Sequence, residues 1–332
     1  MADTELLAAL SRLGLLEPGE RPALEPLGGG VSSDIYKVET RARTLCVKRA
    51  LAKLKVAADW FAPIERNAYE AAWMREAARV VPSAVPELLG QDEASGVLAM
   101  AFLPSEGFKL WKEELRHGRA DPAAAAAVGE RLVRIHGASA KTPGLAERFA
   151  TDDIFYDIRL EPYLVATAIA HPDCAAALEQ LVATTRSTKL ALVHGDVSPK
   201  NILIGEKGPV FLDAECAWFG DPAFDLAFCL NHFFLKSVWV PEAEPAFLAC
   251  FDALAGHYLE GVDWESRDGL ESRVAALLPG LMLGRIDGKS PVEYLTKEQD
   301  KDRVRAFARA RLQAPPMGLD ELRTDWLVGE KI

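Results

Sequence analysis

The stretch that most constrains this chain is VHGDVSPKNILI, Val193 to Ile204, followed closely by VFLDAECAWFGDPAFDLA, Val210 to Ala227. Each couples an apolar, strand-like run to a polar loop. Asp196 precedes Asn201 by five residues, and Asp213 ends the second apolar run. That order suits phosphoryl transfer: one carboxylate holds the attacking hydroxyl, and an amide and a second carboxylate hold magnesium. The transferring group needs positioning and charge neutralisation more than covalent help, so hard oxygen ligands serve Mg²⁺ better than His or Cys. Asp196, Asn201 and Asp213 are therefore the candidate catalytic residues, with Asn201 and Asp213 as candidate metal ligands. Ser198 and Lys200 read as exposed loop residues. The blandest account of the whole stretch is a pair of turns, in which Asp, Asn, Gly and Pro are common.

The same residues carry a family resemblance. HGDVSPKNIL with LDAECAWFGDPAFDLA resembles the aminoglycoside phosphotransferase and choline kinase superfamily, whose fold is similar to that of protein kinases. His194-Gly195-Asp196 stands where protein kinases have His-Arg-Asp, and Asp213-Ala214-Glu215 where they have Asp-Phe-Gly. The resemblance implies an α+β, protein-kinase-like fold of two lobes. Residues 1–104 would form a nucleotide-binding lobe around a small antiparallel sheet, and residues 105–332 a mainly helical lobe with the catalytic loop and acceptor site. It implies ATP and Mg²⁺ as cofactors and a small hydroxylated molecule as acceptor. By the same comparison Asp225 is structural and braces the catalytic loop, and His194 is a buried brace.

Upstream, Gly28-Gly29-Gly30 precedes an alternating run from Ile35 to Glu39, a polar turn, and a second run from Leu45 to Lys48. This predicts a glycine turn and two antiparallel strands. Glycine lets the backbone approach oxygens closely, so Gly29 and Gly30 with the hydroxyls of Ser32 and Ser33 are candidates to cap the β- and γ-phosphates. Lys48 would reach the α- and β-phosphates as a point charge. Residues 65–80 have helical periodicity, with Tyr69, Trp73, Ala77 and Val80 on one stripe. Glu70 and Glu76 flank that stripe, and either could face Lys48. The segment VKRALAKLKVAADWFAPIERNAYEAAWM resembles the corresponding stretch of methylthioribose kinases, which favours Glu70 and leaves Glu76 on a solvated face. The run VPELLGQDEASGVLAMAFLP alternates around a turn at Asp92 to Gly96, as a hairpin does. In a kinase-like fold it ends in the hinge, where backbone groups of Ala101 and Leu103 would hydrogen-bond adenine and Met100 would line the pocket behind.

The remaining segments read as helices. Asp3 or Thr4 caps a short helix ending at Gly14, Asp121-Pro122 opens one running to about Ile135, and two more cover Tyr163 to Ala170 and Ala175 to Thr185, the last capped by Asp173. His136 reads as a core or capping histidine. Only eleven residues separate Asp213 from Asp225, too few for a long activation segment, so a small acceptor is favoured over a polypeptide. Asn231, His232, Phe233, Phe234, Trp239 and Tyr258 are candidate acceptor-site walls or core. Methylthioribose kinases carry a double arginine in a place similar to Arg285; here Ile286 replaces the second. Arg285, Glu215 and His232 are the candidate substrate residues.

A net charge of −11 argues against a nucleic-acid surface and fits a cationic acceptor. Five cysteines without CxxC pairing read as buried hydrophobes of a reducing compartment. No apolar run approaches membrane-spanning length, and a cytoplasmic protein is expected. The expected activity is transfer of the ATP γ-phosphoryl group to a hydroxyl of a small polar metabolite. The alternatives are a nucleotide-binding protein of pseudokinase type without transfer, and a protein kinase. Aminoglycoside, amino alcohol, sugar and homoserine acceptors stay open.

Overall fold

Alternating side chains explain how the amino-terminal sheet is covered on both faces. Strands β1 (Leu24–Pro26), β2 (Ser33–Glu39), β3 (Thr44–Ala50), β4 (Leu88–Asp92) and β5 (Val97–Ala101) form an antiparallel sheet in the order β1-β2-β3-β5-β4. Val38, Leu45, Val47, Val97 and Ala99 point to one face, where Leu6, Ala9 and Leu10 of the Ala2–Arg12 helix cover them. Leu98 and Met100, one residue out of phase, join the core that contains Trp73 and Ala77 of the Arg66–Val80 helix. Lys48 lies directly opposite Leu98 in the register, which puts its side chain on this second face. The computed structural model describes residues 2–28, 33–51 and 64–329. Gly29, Gly30 and Ser32, and residues 52–63, lie outside the described residues.

Beyond β5 the chain makes β6 (Phe108–Leu110) and then turns helical. The Pro122–Ala140 helix begins where Asp121 Oδ1 accepts the Ala123 N–H at 2.9 Å and runs five residues past the expected end at Ile135. The expected Tyr163–Ala170 helix is the end of a longer helical run that starts at Asp152 and whose middle part, Tyr156–Val165, is π-helical with Pro162 inside it. The Ala175–Ser187 helix has no side-chain cap; Asp173 instead holds Arg309 at 2.8 Å and Gln313 at 3.2 Å. The short strands β7 (Ala191–Val193), β8 (Ile202–Gly205), β9 (Gly208–Phe211) and β10 (Trp218–Gly220) follow. They make two small sheets, β6-β8-β9 and β7-β10. The polar loops of the two stretches, residues 194–201 and 212–217, are thus each strung between strands of different sheets, which holds both loop ends.

Helices Ala223–Trp239, Glu244–Glu260 and Arg267–Asp287 complete the core. Phe233, Phe234 and Tyr258 are buried packing residues there, which is the core reading of that aromatic run. Glu76 corrects the expectation of a solvated face: it is buried and accepts from Arg79 at 2.8 Å and Arg148 at 2.7 Å. All five cysteines are free thiols. Among the described residues no helix is long and apolar enough to cross a membrane.

Candidate active site

A cleft of about 640 Å³ is lined from both sides of the chain, by Ser33, Lys48, Glu70 and Met100 on one wall and Asp196, Lys200, Asn201, Asp213 and Glu215 on the other. Lys48 Nζ donates to both carboxylate oxygens of Glu70, at 2.9 and 2.7 Å, and to Asp213 Oδ1 at 2.5 Å. The Lys48 partner is therefore Glu70 and not Glu76. Burial works against the ammonium charge, but Asp213, Glu70 and Glu215 outweigh it and hold the Lys48 pKa above its ordinary value. Burial pushes the Glu70 carboxyl up to about 7; Lys48 pulls the other way, and Asp213 adds to burial. Glu215 is tied to Arg66, whose Nε donates to Oε2 at 2.9 Å while its Nη2 donates to the Leu51 carbonyl at 2.7 Å.

The loop that carries Asp196 is held by one acid. Asp225 accepts the His194 N–H at 2.7 Å, the Gly195 N–H at 2.8 Å and His136 Nε2 at 3.2 Å. His136 also meets Tyr258 OH at 2.7 Å. His194 is fully buried with its ring edge-on to Trp73, 4.7 Å between centroids. Burial lowers its pKa, so it serves as a neutral brace. Gly195 has φ +80°, and a Cβ there would stand 2.8 Å from Cys216 Cβ and O, so the loop needs glycine at this point. Asp213 is the one non-glycine described residue with positive φ, 68°, which turns its carboxylate off the end of β9 toward Lys48.

Asp196 is 2% exposed and meets a cation with no counterpart among the sequence-predicted residues. Arg159 Nη2 stands 2.8 Å from Asp196 Oδ2, its Nη1 donates to the Ile158 carbonyl at 2.8 Å, and its Nε donates to the Gly195 carbonyl. Pro162 lacks the N–H that an α-helix would direct at the Ile158 carbonyl, and that carbonyl accepts from Arg159 Nη1. Burial opposes the Asp196 charge, but Arg159 and then Lys200 outweigh it and hold the carboxyl well below the usual range. Lys200 Nζ lies 3.2 Å from Asp196 Oδ2 with its side chain half exposed, whereas Ser198 is fully buried, 3.4 Å from Asp196 Oδ1, rather than exposed in the loop. Sequence reasoning missed Arg159 and Arg66. Nothing in their spacing marks either as buried, and each finds its acid by tertiary packing.

The metal question turns on which oxygens are left over. Asn201 Nδ2 donates to the Asp196 carbonyl at 3.2 Å, which leaves its Oδ1, and Asp213 gives Oδ1 to Lys48, which leaves Oδ2. Among the described residues no group of three or more His, Cys, Asp or Glu forms a metal cage. One amide oxygen and one carboxylate oxygen suit Mg²⁺, which keeps waters and takes phosphate oxygens as its other ligands. At the hinge, the Ala101 N–H is taken by the Glu87 carbonyl at 2.9 Å, so only its carbonyl can serve a ligand; Met100, Ala101 and Leu103 line the cleft. Of the candidate substrate residues, Glu215 lines the cleft but is committed to Arg66. Arg285 stands just behind the cleft wall, reaching Tyr163 OH at 3.2 Å and Ser290 Oγ at 3.1 Å. His232 lies deeper, against Tyr294 OH at 3.3 Å.

Comparison with known proteins gives the following likenesses. Methylthioribose kinase of Pectobacterium carotovorum is 26% identical over 274 residues, covering 73% of this chain and 66% of the relative. That of Bacillus pumilus is 22% identical over 269 residues, covering 72% and 66%. The chain thus spans just under two thirds of the length of these curated relatives. Among solved structures, a choline/ethanolamine kinase family protein of Mesorhizobium loti superposes with a TM-score of 0.54 at 21% identity, covering 98% of this chain and 99% of the other. An amicoumacin kinase superposes with a TM-score of 0.58 at 12% identity, covering 97% and 98%. These likenesses show a shared α+β fold, a small antiparallel sheet joined to a large helical part. The phosphotransferase enzyme family matches residues 23–270, well over half of the sequence, and it is to this family that the chain belongs.

Proposed function

We propose that this chain transfers the γ-phosphoryl group of ATP, as its magnesium complex, to a hydroxyl of a small molecule. The observation that carries it is the convergence of Lys48, Glu70, Asp196, Asn201 and Asp213 on one cleft, from segments as much as 165 residues apart. In this reading residues 1–104 hold the nucleotide, with the Ala101 carbonyl and the Leu103 backbone meeting the adenine and Met100 behind it. Gly29, Gly30, Ser32 and Ser33 cap the phosphates, and Lys48, oriented by Glu70, contacts the α- and β-phosphates. Residues 105–332 supply the chemistry and the acceptor.

Asn201 and Asp213 would hold the metal. Two carboxylates, Glu70 and Asp213, share the single Lys48 ammonium, and a divalent cation relieves that negative surplus. When bound, Mg²⁺ supplies charge neutralisation for the phosphate oxygens. Asp196, kept ionised by Arg159, accepts the hydrogen bond of the acceptor hydroxyl and fixes its oxygen in line with phosphorus. The new bond forms between that oxygen and phosphorus as the bond to the β-phosphate oxygen breaks, and the hydroxyl proton passes to Asp196 late. So weakly basic a carboxylate suits a loose transition state, in which the nucleophile needs orientation before deprotonation. Lys200 is placed to meet the transferring oxygens.

Calorimetric titration with MgATP and a coupled ADP assay over hydroxylated metabolites test this. Asp213→Ala should weaken Mg²⁺-dependent nucleotide binding, and Asp196→Asn should abolish turnover while leaving nucleotide binding intact. An Asp196→Asn variant with near-normal turnover sinks the assignment, and MgATP binding with no transfer to any hydroxyl would leave a nucleotide-binding protein.

A further inference from the structure

The whole chain is acidic, yet the end of the cleft beyond Asp196 is not. Tyr163, which lines it, lies between two guanidiniums: Arg159 is 5.9 Å and Arg285 5.5 Å from its ring centroid. Arg159 is matched by Asp196, but Arg285 has no carboxylate partner among the described residues. It is 7% exposed, its Nε has no hydrogen-bond partner, and its contacts are neutral oxygens: Tyr163 OH and the hydroxyl and carbonyl of Ser290. A buried guanidinium with no carboxylate beside it has lost water without gaining a counter-charge, and an arriving anion supplies one.

Its neighbours add to the imbalance. Lys236, 1% exposed, also lacks a carboxylate partner among the described residues; its ammonium lies between the Trp239 and Tyr294 rings, 4.9 and 4.6 Å from their centroids. His232, between these two cations, has an unpartnered Nε2. Burial lowers its pKa far below the ordinary value, and Arg285 and Lys236 push the same way, so it does not supply a further charge. The Tyr163 phenol reports the same field: burial alone would raise its pKa, but Arg285 and Arg159 bring it below normal. The rim cations Lys112 and Lys289 are paired with Glu293 and Glu161; Glu293 also acts at longer range on Arg285 and Lys236, without an ion pair to either among the described residues.

We propose that the acceptor is itself an anion: a small hydroxylated molecule whose carboxylate or phosphate group is taken by Arg285 with Tyr163 OH and Ser290 Oγ, while its hydroxyl faces Asp196. This rests on the phosphotransferase reading of the cleft and selects among its acceptors. Amino alcohols and aminoglycosides bring positive charge to a site that already holds too much of it, whereas a hydroxy acid or sugar phosphate neutralises it. The guanidinium fork suits either planar carboxylate or phosphate.

The test uses the full chain. MgADP is titrated calorimetrically into the wild type and Arg285→Met. The MgADP-loaded proteins are then melted with glycerate, gluconate and ribose 5-phosphate against glycerol, glucose, ribose and choline, and the same panel is run for ADP release with MgATP. Expected are a Tm rise and turnover with anionic members only. In Arg285→Met the Tm response should vanish and KM rise by about tenfold or more, with MgADP affinity unchanged. Response to glycerate or gluconate identifies a carboxylate, and to ribose 5-phosphate a phosphate. Without ligand, Arg285→Met should melt no lower than the wild type, whereas a purely structural arginine would lower it. Should Arg285→Met not fold, Arg285→Lys, which keeps the charge and loses the fork, must still raise KM for the anion. Turnover of choline or neutral sugars with KM indifferent to Arg285, or no Tm response to any anion, overturns the proposal while the phosphotransferase reading stands. Failure to bind MgADP overturns both.

Discussion

Replacing Arg159 by methionine should leave the buried Asp196 carboxylate without its nearest counter-charge. Asp196 and Arg159 are 2% and 5% exposed and 2.8 Å apart, so the substitution strands a carboxylate in a site with little water. Breaking a buried pair from one side costs about 3–5 kcal/mol. Lys200, 3.2 Å from the same oxygen but with a half-exposed side chain, screens part of that charge. The carbonyls of Gly195 and Ile158 lose their Arg159 donor, at about 1 kcal/mol each. A net loss of about 4 kcal/mol at pH 7 is expected from urea unfolding, small enough for the fold to survive in a chain of ordinary stability. The pH dependence separates this from simple packing loss. In the wild type the Asp196 pKa is depressed by Arg159, so its contribution is present above the unfolded value of 3.8 and is lost only as pH falls below that. In the variant the buried carboxyl prefers its proton, so the deficit against wild type should shrink between pH 7 and pH 5, and adding Asp196→Asn should remove most of it. A deficit under about 1 kcal/mol, or one that is the same at both pH values, would refute the charge argument.

Other outcomes follow from the same geometry. Gly195→Ala forces a Cβ to 2.8 Å from Cys216 at φ +80° and should cost about 2 kcal/mol or more in urea unfolding, with turnover lost beyond what stability explains. Glu70→Gln leaves Lys48 to Asp213 alone and should weaken MgATP affinity about tenfold by calorimetry; unchanged affinity would mean that Glu70 does not position the lysine. His232 is held neutral, so the unfolded chain takes up a proton below its ordinary pKa of 6.5 and the folded one does not. Its contribution is therefore complete above pH 6.5 and is lost as pH falls, by at most about 1.4 kcal/mol per pH unit, and a His232→Gln variant should show a correspondingly flatter stability profile from pH 6.5 to 5.5.

Much of the scaffold was legible because it depends on local pattern. The period-two runs around Ile35, Leu45 and Leu98 become strands β2, β3 and β5, and the 3.6-residue stripe through Trp73 and Ala77 becomes the helix that brings Glu70 to Lys48. Asp196, Asn201 and Asp213 were marked by residue type and spacing, since a loop between two short buried strands leaves little choice in where its polar side chains go. Two of the misjudged positions, Glu76 and Asp173, share a cause: each acid finds a partner far away in sequence, Arg148 and Arg309, whereas Ser198 turns inward against Asp196 two residues before it. What the sequence by itself determined here is the longer strands and helices with a clear period, and which acids sit in the two polar loops of the cleft. The tertiary structure alone decided the charge state and the company of those acids. Arg159 reaches Asp196 and Arg66 reaches Glu215 across 37 and 149 residues, and Arg285 makes no ion pair among the described residues. Burial and pairing are properties of three-dimensional neighbours, and no sequence period encodes them.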